Sequence, residues 1–226
     1  LPDSEIDYTS LQEFEAEYPQ CVGLYLENRT NILAAVDQLT KSVFATPFMS
    51  RLGKFSLIAL KRPTGEPVFH IDMDNIVQGS FQVRDLLEVT PSVRIAYNKN
   101  YTVPESLVTG IPERHKQLWK EDWRYRTATN SDNVQLYKLF DEPDPIQTQL
   151  QIGTEAQAVA QSRVDLFGVQ RRVYACEVQG AGTFLEFGDT VSLKYTRYSL
   201  DTGVLAKVIG CKPNWSKKTT AVELLV

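Results

Sequence analysis

The sequence predicts a mainly β protein of the α+β class, built from two antiparallel β-barrel-like or sandwich modules with flanking helices. Segments in which apolar and polar residues alternate recur over 51–98 and 134–226, with turn residues between them. Consecutive hairpins of this kind form antiparallel sheets. The chain also lacks the regular strand–helix–strand alternation of doubly wound or barrel folds.

Two helices are predicted near the start of the chain. Ser10 and Glu13 fit a capping box with Ser10 as N-cap, and the short helix that they open ends before Pro19. A second helix is predicted over 30–44, with Thr30 as its N-cap, because apolar residues recur there at three- and four-residue spacing. The resulting stripe consists of Ile32, Leu33, Val36, Leu39 and Val43. We expect this stripe to pack on a sheet rather than to bind a partner.

The remainder of the first half is predicted to form strands. Alternating residues indicate a strand over 55–59, and 68–72 is expected to return beside it after a turn at 61–66. Two more strands are predicted over 76–87 and 92–98.

The second half is predicted to begin with a charged surface helix over 112–123, because a proline suits the first turn of a helix. Strands follow over 134–140 and 146–152. A strong amphipathic helix is expected over 154–167, opened by a capping box at Thr154.

Gly168 is expected to end that helix as its C-cap glycine. The rest of the chain is predicted to form strands. They are predicted over 169–179, 191–195, 204–210 and 220–226, the middle two forming a hairpin after a turn at Gly188. The elements suggest three parts: a helix plus β module over 1–100, a charged and aromatic linking segment over 101–130, and a helix plus β module over 131–226.

The overall composition excludes several function classes. The formal net charge of −4 argues against a protein that holds nucleic acid on a basic surface. No apolar run is long enough for a transmembrane helix. Cys21, Cys176 and Cys211 lack the spacing of a zinc site, and we expect all three to pack in the core.

The sequence holds no recognisable catalytic or cofactor motif, so we predict no catalytic residue and no cofactor. His70, Asp72 and Asp74 have alternate spacing, which would place them on one face of a strand, and a metal ion accepts such ligands. The polar outer face of a strand has the same spacing. We adopt that second interpretation and keep the three residues as weak metal candidates.

An aromatic and arginine-rich segment is the clearest candidate for an interface. It contains Trp119, Trp123, Arg124, Tyr125 and Arg126. Such residues are enriched where proteins bind each other, and they also stack on bases or sugars. Because the net charge is negative, we favour a protein interface.

Three motifs near the end of the chain carry a family resemblance: GDTVSL at 188–193, RYSLDTG at 197–203 and VIG at 208–210. In this order they resemble the closing part of β-rich modules in tail-tip and baseplate hub proteins of long-tailed bacteriophages. Upstream segments are similar to the same family, namely the helix at 32–43 and the stretches at 53–57, 74–76 and 93–101.

The resemblance implies a structural protein of the virion tail, made in the host cytoplasm. Such a subunit would form a homo-oligomeric ring, a trimer or hexamer, that joins the tail tube to the tip and contacts neighbouring tail proteins. DNA would pass through the channel without specific binding, and an acidic lumen would help it slide. No catalytic residue carries over.

An alternative from another class stays open at this point: a cell-surface glycan-binding module or hydrolase of a phage or bacterium. It would need a concave site that brings Trp119, Trp123 and Tyr125 together with a pair of carboxylates.

Overall fold

The computed structural model describes residues 2–26, 28–104, 106 and 108–226. It contains 27% helix and 31% strand, arranged in several sheets, so the predicted mainly β, α+β class is confirmed. In these residues no sheet closes into a barrel.

The helices of the described chain are α1 (Tyr8–Glu17), α2 (Ile32–Ser42), α3 (Glu113–Lys120), α4 (Ser131–Tyr137) and α5 (Gly153–Phe167). Its strands are β1 (Ala45–Met49), β2 (Phe55–Ala59), β3 (Phe69–Ile71), β4 (Gln82–Leu87), β5 (Ser92–Tyr97), β6 (Arg124–Thr129), β7 (Ile146–Gln147), β8 (Arg171–Gln179), β9 (Thr190–Leu193), β10 (Val204–Asn214) and β11 (Thr219–Leu225).

A six-stranded sheet forms the body of the molecule, in the order β3-β9-β10-β11-β8-β4. The predicted hairpin of β9 and β10 is present, with Val204 opposite Leu193. Alternation along each strand places one apolar set on a common face, where it forms the main core. This core includes Tyr174, Cys176, Val178, Val191, Leu193, Ala206, Val208, Val222 and Leu224. Loops close over it, and the ring of Phe81 stacks on that of Tyr195 at a centroid distance of 4.0 Å.

A smaller sheet, in the order β6-β5-β7, packs one face against α5. Val93, Ile95 and Tyr97 point from β5 towards the buried stripe of α5, which includes Val159 and Val164. Helical spacing of the apolar residues in α5 creates that stripe, as the sequence predicts.

The predicted pairing of 55–59 with 68–72 is wrong. The strand β2 pairs instead with β1, whose Ala45 lies opposite Ala59. The strand β3 lies parallel to β9, about 120 residues further along the chain, with Phe69 opposite Val191. Alternation identifies the buried face of a strand but not the strand beside it, which explains the error.

The segment predicted as a strand over 134–140 is a helix, α4, and this is also a correction. Asn130 caps α4 by accepting a hydrogen bond from the backbone N–H of Asn133 at 3.1 Å. Lys138 then adopts a left-handed conformation with φ of 59° and ends the helix. Similarly, the strand predicted over 76–87 forms only over the second half of that range.

The structure also reassigns the helix caps. Asp7, not Ser10, caps α1, and Asn31, not Thr30, caps α2, where its side chain accepts a hydrogen bond from the N–H of Leu33 at 2.9 Å. No side chain caps α5 at Thr154. Gly168 does follow α5 as its C-cap. Its φ of −67° is one that any residue adopts, so the reason for a glycine is steric: a Cβ would lie 2.4 Å from a backbone carbonyl oxygen.

The division at 1–100, 101–130 and 131–226 stays a prediction about folding units. The hydrogen-bonded sheets themselves combine strands from both proposed modules. The strands β3 and β4 come from the first module and join β8 to β11 of the second. The strand β6, from the linking segment, pairs along its length with β5.

The turn at Gly188 has a backbone that only glycine adopts easily. Its φ is +93°, and a Cβ at this position would lie 1.7 Å from the Cδ1 atom of Ile58 in β2. The neighbouring Asp189 accepts a hydrogen bond from the N–H of Glu186 at 2.8 Å, so it shapes the same turn. This turn therefore brings the β1–β2 ribbon close to β10.

Candidate assembly surfaces

The aromatic and arginine-rich segment does not form one surface. Trp119 lies on α3 and is 49% exposed, whereas Trp123 is only 9% exposed and belongs to the interior. The following three residues lie on β6, where Tyr125 is 40% exposed. Trp123 is therefore no exposed anchor, and its buried ring offers no stacking surface to a glycan.

The exposed part of this segment is the β6 edge of the smaller sheet. The Arg94 guanidinium of β5 lies 4.4 Å from the ring centroid of Tyr125, a cation–π contact that orients both side chains. Arg126 points to the opposite face, near the start of α5. Tyr125, Arg94 and Trp119 remain candidates for contact with a partner.

The first turn of α2 is exposed, whereas the prediction that its stripe packs on a sheet holds for the later residues: Val36 and Leu39 are partly buried, Val43 is buried, and the helix lies against β1. Ile32 is 78% exposed and Leu33 is 69% exposed. The buried residues of α2 are Thr40 and Ser42, both near its C-terminal end. Only the last turns of the helix therefore hold it to the body, and its apolar first turn is left for a partner.

The strand β4 is an unprotected edge of the six-stranded sheet. Its first five residues are exposed, including Val83 and Leu86 at 39% and 51%. A bulge between Val83 and Asp85 and an ion pair of Arg84 with Glu223 interrupt the edge. Such features reduce uncontrolled strand pairing while leaving backbone groups available to a specific neighbour.

A hollow of about 650 Å³ lies at the far end of the same sheet, and we call it the Trp215 hollow. The connection between β10 and β11 forms one wall and carries Trp215, Lys217 and Lys218. The opposite wall includes Asp74 and Gln179. Trp215 is 68% exposed, so its ring faces solvent across the hollow.

A second exposed stretch follows α4, and we call residues 136–144 the Phe140 segment. Leu136 is 69% exposed and Phe140 is 61% exposed. Acidic residues follow at once, and Glu142 pairs with Arg94 of β5. Neither surface was predicted from the sequence: Phe140 was assigned to a strand, and Trp215 falls between the strands predicted over 204–210 and 220–226. The apolar–acidic run LFDEPD was the available signal for the Phe140 segment.

The weak metal candidates do not converge. The strand β3 ends at Ile71, so His70, Asp72 and Asp74 do not share one strand face. Asp72 accepts hydrogen bonds from the N–H of Asp74 and the side-chain amide of Asn75, both at 3.0 Å, and so shapes a turn. In the part of the chain that the structure describes, no group of three metal-ligating side chains is found.

Three titratable groups have a pKa that is shifted mainly by burial. Burial raises the pKa of the Cys176 thiol to about 12 and lowers the pKa of the Arg163 guanidinium to about 10. Burial likewise lowers the pKa of Lys207, whose ammonium donates a hydrogen bond to Thr190. Cys21 is exposed, so its predicted place in the core is wrong.

None of the helices described here has both the length and the apolar character needed to cross a membrane.

No protein-family model and no curated protein sequence matches the chain. Solved structures do match. A chain from the virion of a native gene transfer agent (GTA) particle matches with a TM-score of 0.51 and 13% identity, over 85% of this chain and 37% of that one. The tail protein from Neisseria meningitidis MC58 matches with a TM-score of 0.51 and 12% identity, over 96% of this chain and 65% of that one.

A third match is prophage tail protein gp18 from Listeria monocytogenes EGD-e, with a TM-score of 0.49 and 10% identity over 89% of this chain and 54% of that one. The fold likeness rests on the first two structures. At these identities it shows a shared fold. The chain spans 37% and 65% of the lengths of those two proteins.

Proposed function

We propose that this chain is a structural subunit of a bacteriophage-type tail. The observation that carries the proposal is the fold: 85% and 96% of the chain match a virion component of a GTA particle and a tail protein. The surfaces are consistent with assembly, since α2 exposes apolar residues that no described part of the chain covers. The family resemblance of the motifs at 188–210 agrees with this assignment.

Within the tail, we place the subunit in a ring at the tip or baseplate hub. The ring would be a trimer or hexamer that joins the tail tube to the tip and contacts neighbouring tail proteins. A net charge of −4 suits a channel through which DNA passes without specific binding, because like charges repel. The protein would be made in the host cytoplasm and function in the virion tail.

The role proposed here is mechanical, not enzymatic. The chain would act through the surfaces that it presents to its neighbours, with α2, the β4 edge and the exposed residues Trp119 and Tyr125 as the first candidates. Apolar and aromatic side chains of this kind provide most of the free energy in permanent interfaces.

The test is the mass of the purified chain, measured by light scattering over a concentration series. We expect a plateau at three or six times the subunit mass of 25.6 kDa. The matched variants are Ile32→Ser and Leu33→Ser in α2, which should shift the plateau to higher concentration without altering the circular dichroism spectrum. A chain that stays monomeric throughout and binds polysaccharide on a glycan screen would contradict the proposal.

A further inference from the structure

The Trp215 hollow and the Phe140 segment are complementary in chemistry. The hollow offers an exposed indole and the ammonium groups of Lys217 and Lys218, which pair with no carboxylate among the described residues. The Phe140 segment offers an exposed phenyl ring followed by Asp141 and Asp144. Aromatic rings attract each other at their faces and edges, and unlike charges fix the register of an interface.

The two surfaces lie on different parts of the same copy. The hollow is lined by Gln179, at the end of β8. The Phe140 segment follows α4, which is held beside the start of β8 because Asn133 donates a hydrogen bond to the carbonyl of Gly168 at 2.8 Å. Nine residues of β8 separate these places, and an extended strand of that length spans about 30 Å. A copy therefore cannot fill its own hollow.

We propose that the Phe140 segment of one copy docks into the Trp215 hollow of a second copy. We assign a second copy as the occupant because every copy of the chain carries both complementary surfaces, the basic aromatic hollow and the acidic aromatic segment. Two different patches meet in such a contact, so it is heterologous and repeats head to tail. Repetition of this kind closes a ring when the rotation between copies allows it. The inference rests on the proposed function and names the contact that would build the ring.

The volume of the hollow and the contacts that hold the Phe140 segment in place agree with this docking. A volume of about 650 Å³ lies within the range of pockets that enclose small ligands, so the hollow can accept the phenyl ring and its neighbours. The segment is already ordered before docking, since Glu142 is paired with Arg94 and α4 is capped. Little conformational entropy is then lost on association.

The test uses complementary single variants of the whole chain, studied by sedimentation velocity. Trp215→Ala removes the indole from the hollow, and Phe140→Ala removes the inserted ring. Each alone should need a concentration at least tenfold higher to assemble, as for a central aromatic anchor. Leu52→Ala is the matched control, because Leu52 is 83% exposed but belongs to neither surface. It should assemble like the wild type.

Mixing the two variants gives the sharper result. The intact segment of Trp215→Ala can dock into the intact hollow of Phe140→Ala, and no further copy can be added through this contact. We expect a species of two chains, at twice 25.6 kDa, that neither variant forms alone. A combined Lys217→Glu and Lys218→Glu variant should likewise dissociate, and adding Asp141→Lys and Asp144→Lys to the same chain should restore assembly, because both halves of the contact then carry exchanged charges.

The outcomes separate this inference from the proposed function. A wild type that forms a ring whose mass and midpoint are unchanged by Trp215→Ala and Phe140→Ala overturns the inference and leaves the function standing. So does a mixture that remains as monomeric as its components. A wild type that never assembles overturns the inference, and it overturns the proposed function as well if the monomer binds polysaccharide on the glycan screen.

Discussion

Replacing Trp123 with alanine should unfold the protein more easily rather than dissolve an interface. Trp123 is 9% exposed and lies where β6 begins, next to the loop in which Asn100 donates a backbone hydrogen bond to the carbonyl of Asp122 at 2.8 Å. Lys99 approaches the other side of the ring, 5.6 Å from its centroid. The indole therefore joins this loop to the smaller sheet.

The magnitude follows from the buried area. A tryptophan buries up to about 250 Å², and nine tenths of that at about 25 cal/mol/Å² gives roughly 5.6 kcal/mol as an upper estimate. Since alanine keeps part of the contact, we expect the free energy of unfolding to fall by about 4 kcal/mol. In a chain of this size the midpoint of thermal unfolding should fall by roughly 10 °C.

The assay is urea unfolding followed by circular dichroism, with Trp119→Ala as the control. Trp119 is 49% exposed, so its truncation should cost no more than about 2 kcal/mol. The mass of each variant is measured below its unfolding transition. If Trp123→Ala left the free energy of unfolding within about 1 kcal/mol of the wild type and still abolished assembly, the burial argument would be refuted.

Three further predictions concern the interior. Gly188→Ala should lower the free energy of unfolding by about 3 kcal/mol, because it combines a left-handed backbone with a clash against an isoleucine of β2. Gly203→Ala is the comparison: its φ is +80°, but a Cβ there would make only an ordinary contact, 3.7 Å from the Oγ atom of Ser192, so it should cost only about 1 kcal/mol. Lys207→Met should raise the free energy of unfolding by about 1 kcal/mol at neutral pH. The pKa of this lysine in the folded protein lies below its ordinary 10.5, because burial disfavours the charged form. The buried charge therefore destabilises the fold fully at pH values below the folded pKa, and this destabilisation disappears as pH rises towards 10.5. The stability gained by Lys207→Met should shrink over the same pH range. Maleimide should label the exposed Cys21 in the folded protein and reach Cys176 only after unfolding, as read by peptide mass spectrometry.

Each of these has an outcome that would count against it. Equal losses for the two glycine variants in urea unfolding would show that the clash at Gly188 is relieved at no cost. A gain for Lys207→Met that stayed constant up to pH 10.5 would exclude the buried charge as its cause. Labelling of Cys176 at the rate of Cys21 would mean that β8 opens in the folded state.

The amino-acid pattern was most informative where one element buries one face. The helix α5 and the strands β5, β8, β9, β10 and β11 are found close to their predicted positions. In each of them the spacing of apolar residues specifies both the type of element and its buried side. The same patterns supplied the mainly β class and the turn at Gly188.

The pattern was misleading where the same spacing of apolar residues is compatible with more than one structure. The stretch 134–140 alternates like a strand, but the cap at Asn130 opens a helix there instead. The apolar stripe of α2 has the spacing of a packed helix, yet Ile32 and Leu33 face solvent. Spacing shows which side of a helix is apolar and not whether the chain supplies a surface to cover it.

By itself, then, the sequence determined the class of the fold and the hairpin of β9 and β10, and it carried a resemblance to phage tail proteins. Only the tertiary structure decided which strands are neighbours, that Trp123 is buried while Trp215 is exposed, and that the Trp215 hollow and the Phe140 segment lie at opposite ends of β8. The physical reason is that sequence patterns are local, whereas tertiary contacts join residues that are far apart in the sequence. Periodicity along the chain reports the face that each element buries, whereas the exposure of a residue depends on whether elements that are distant in the sequence cover it.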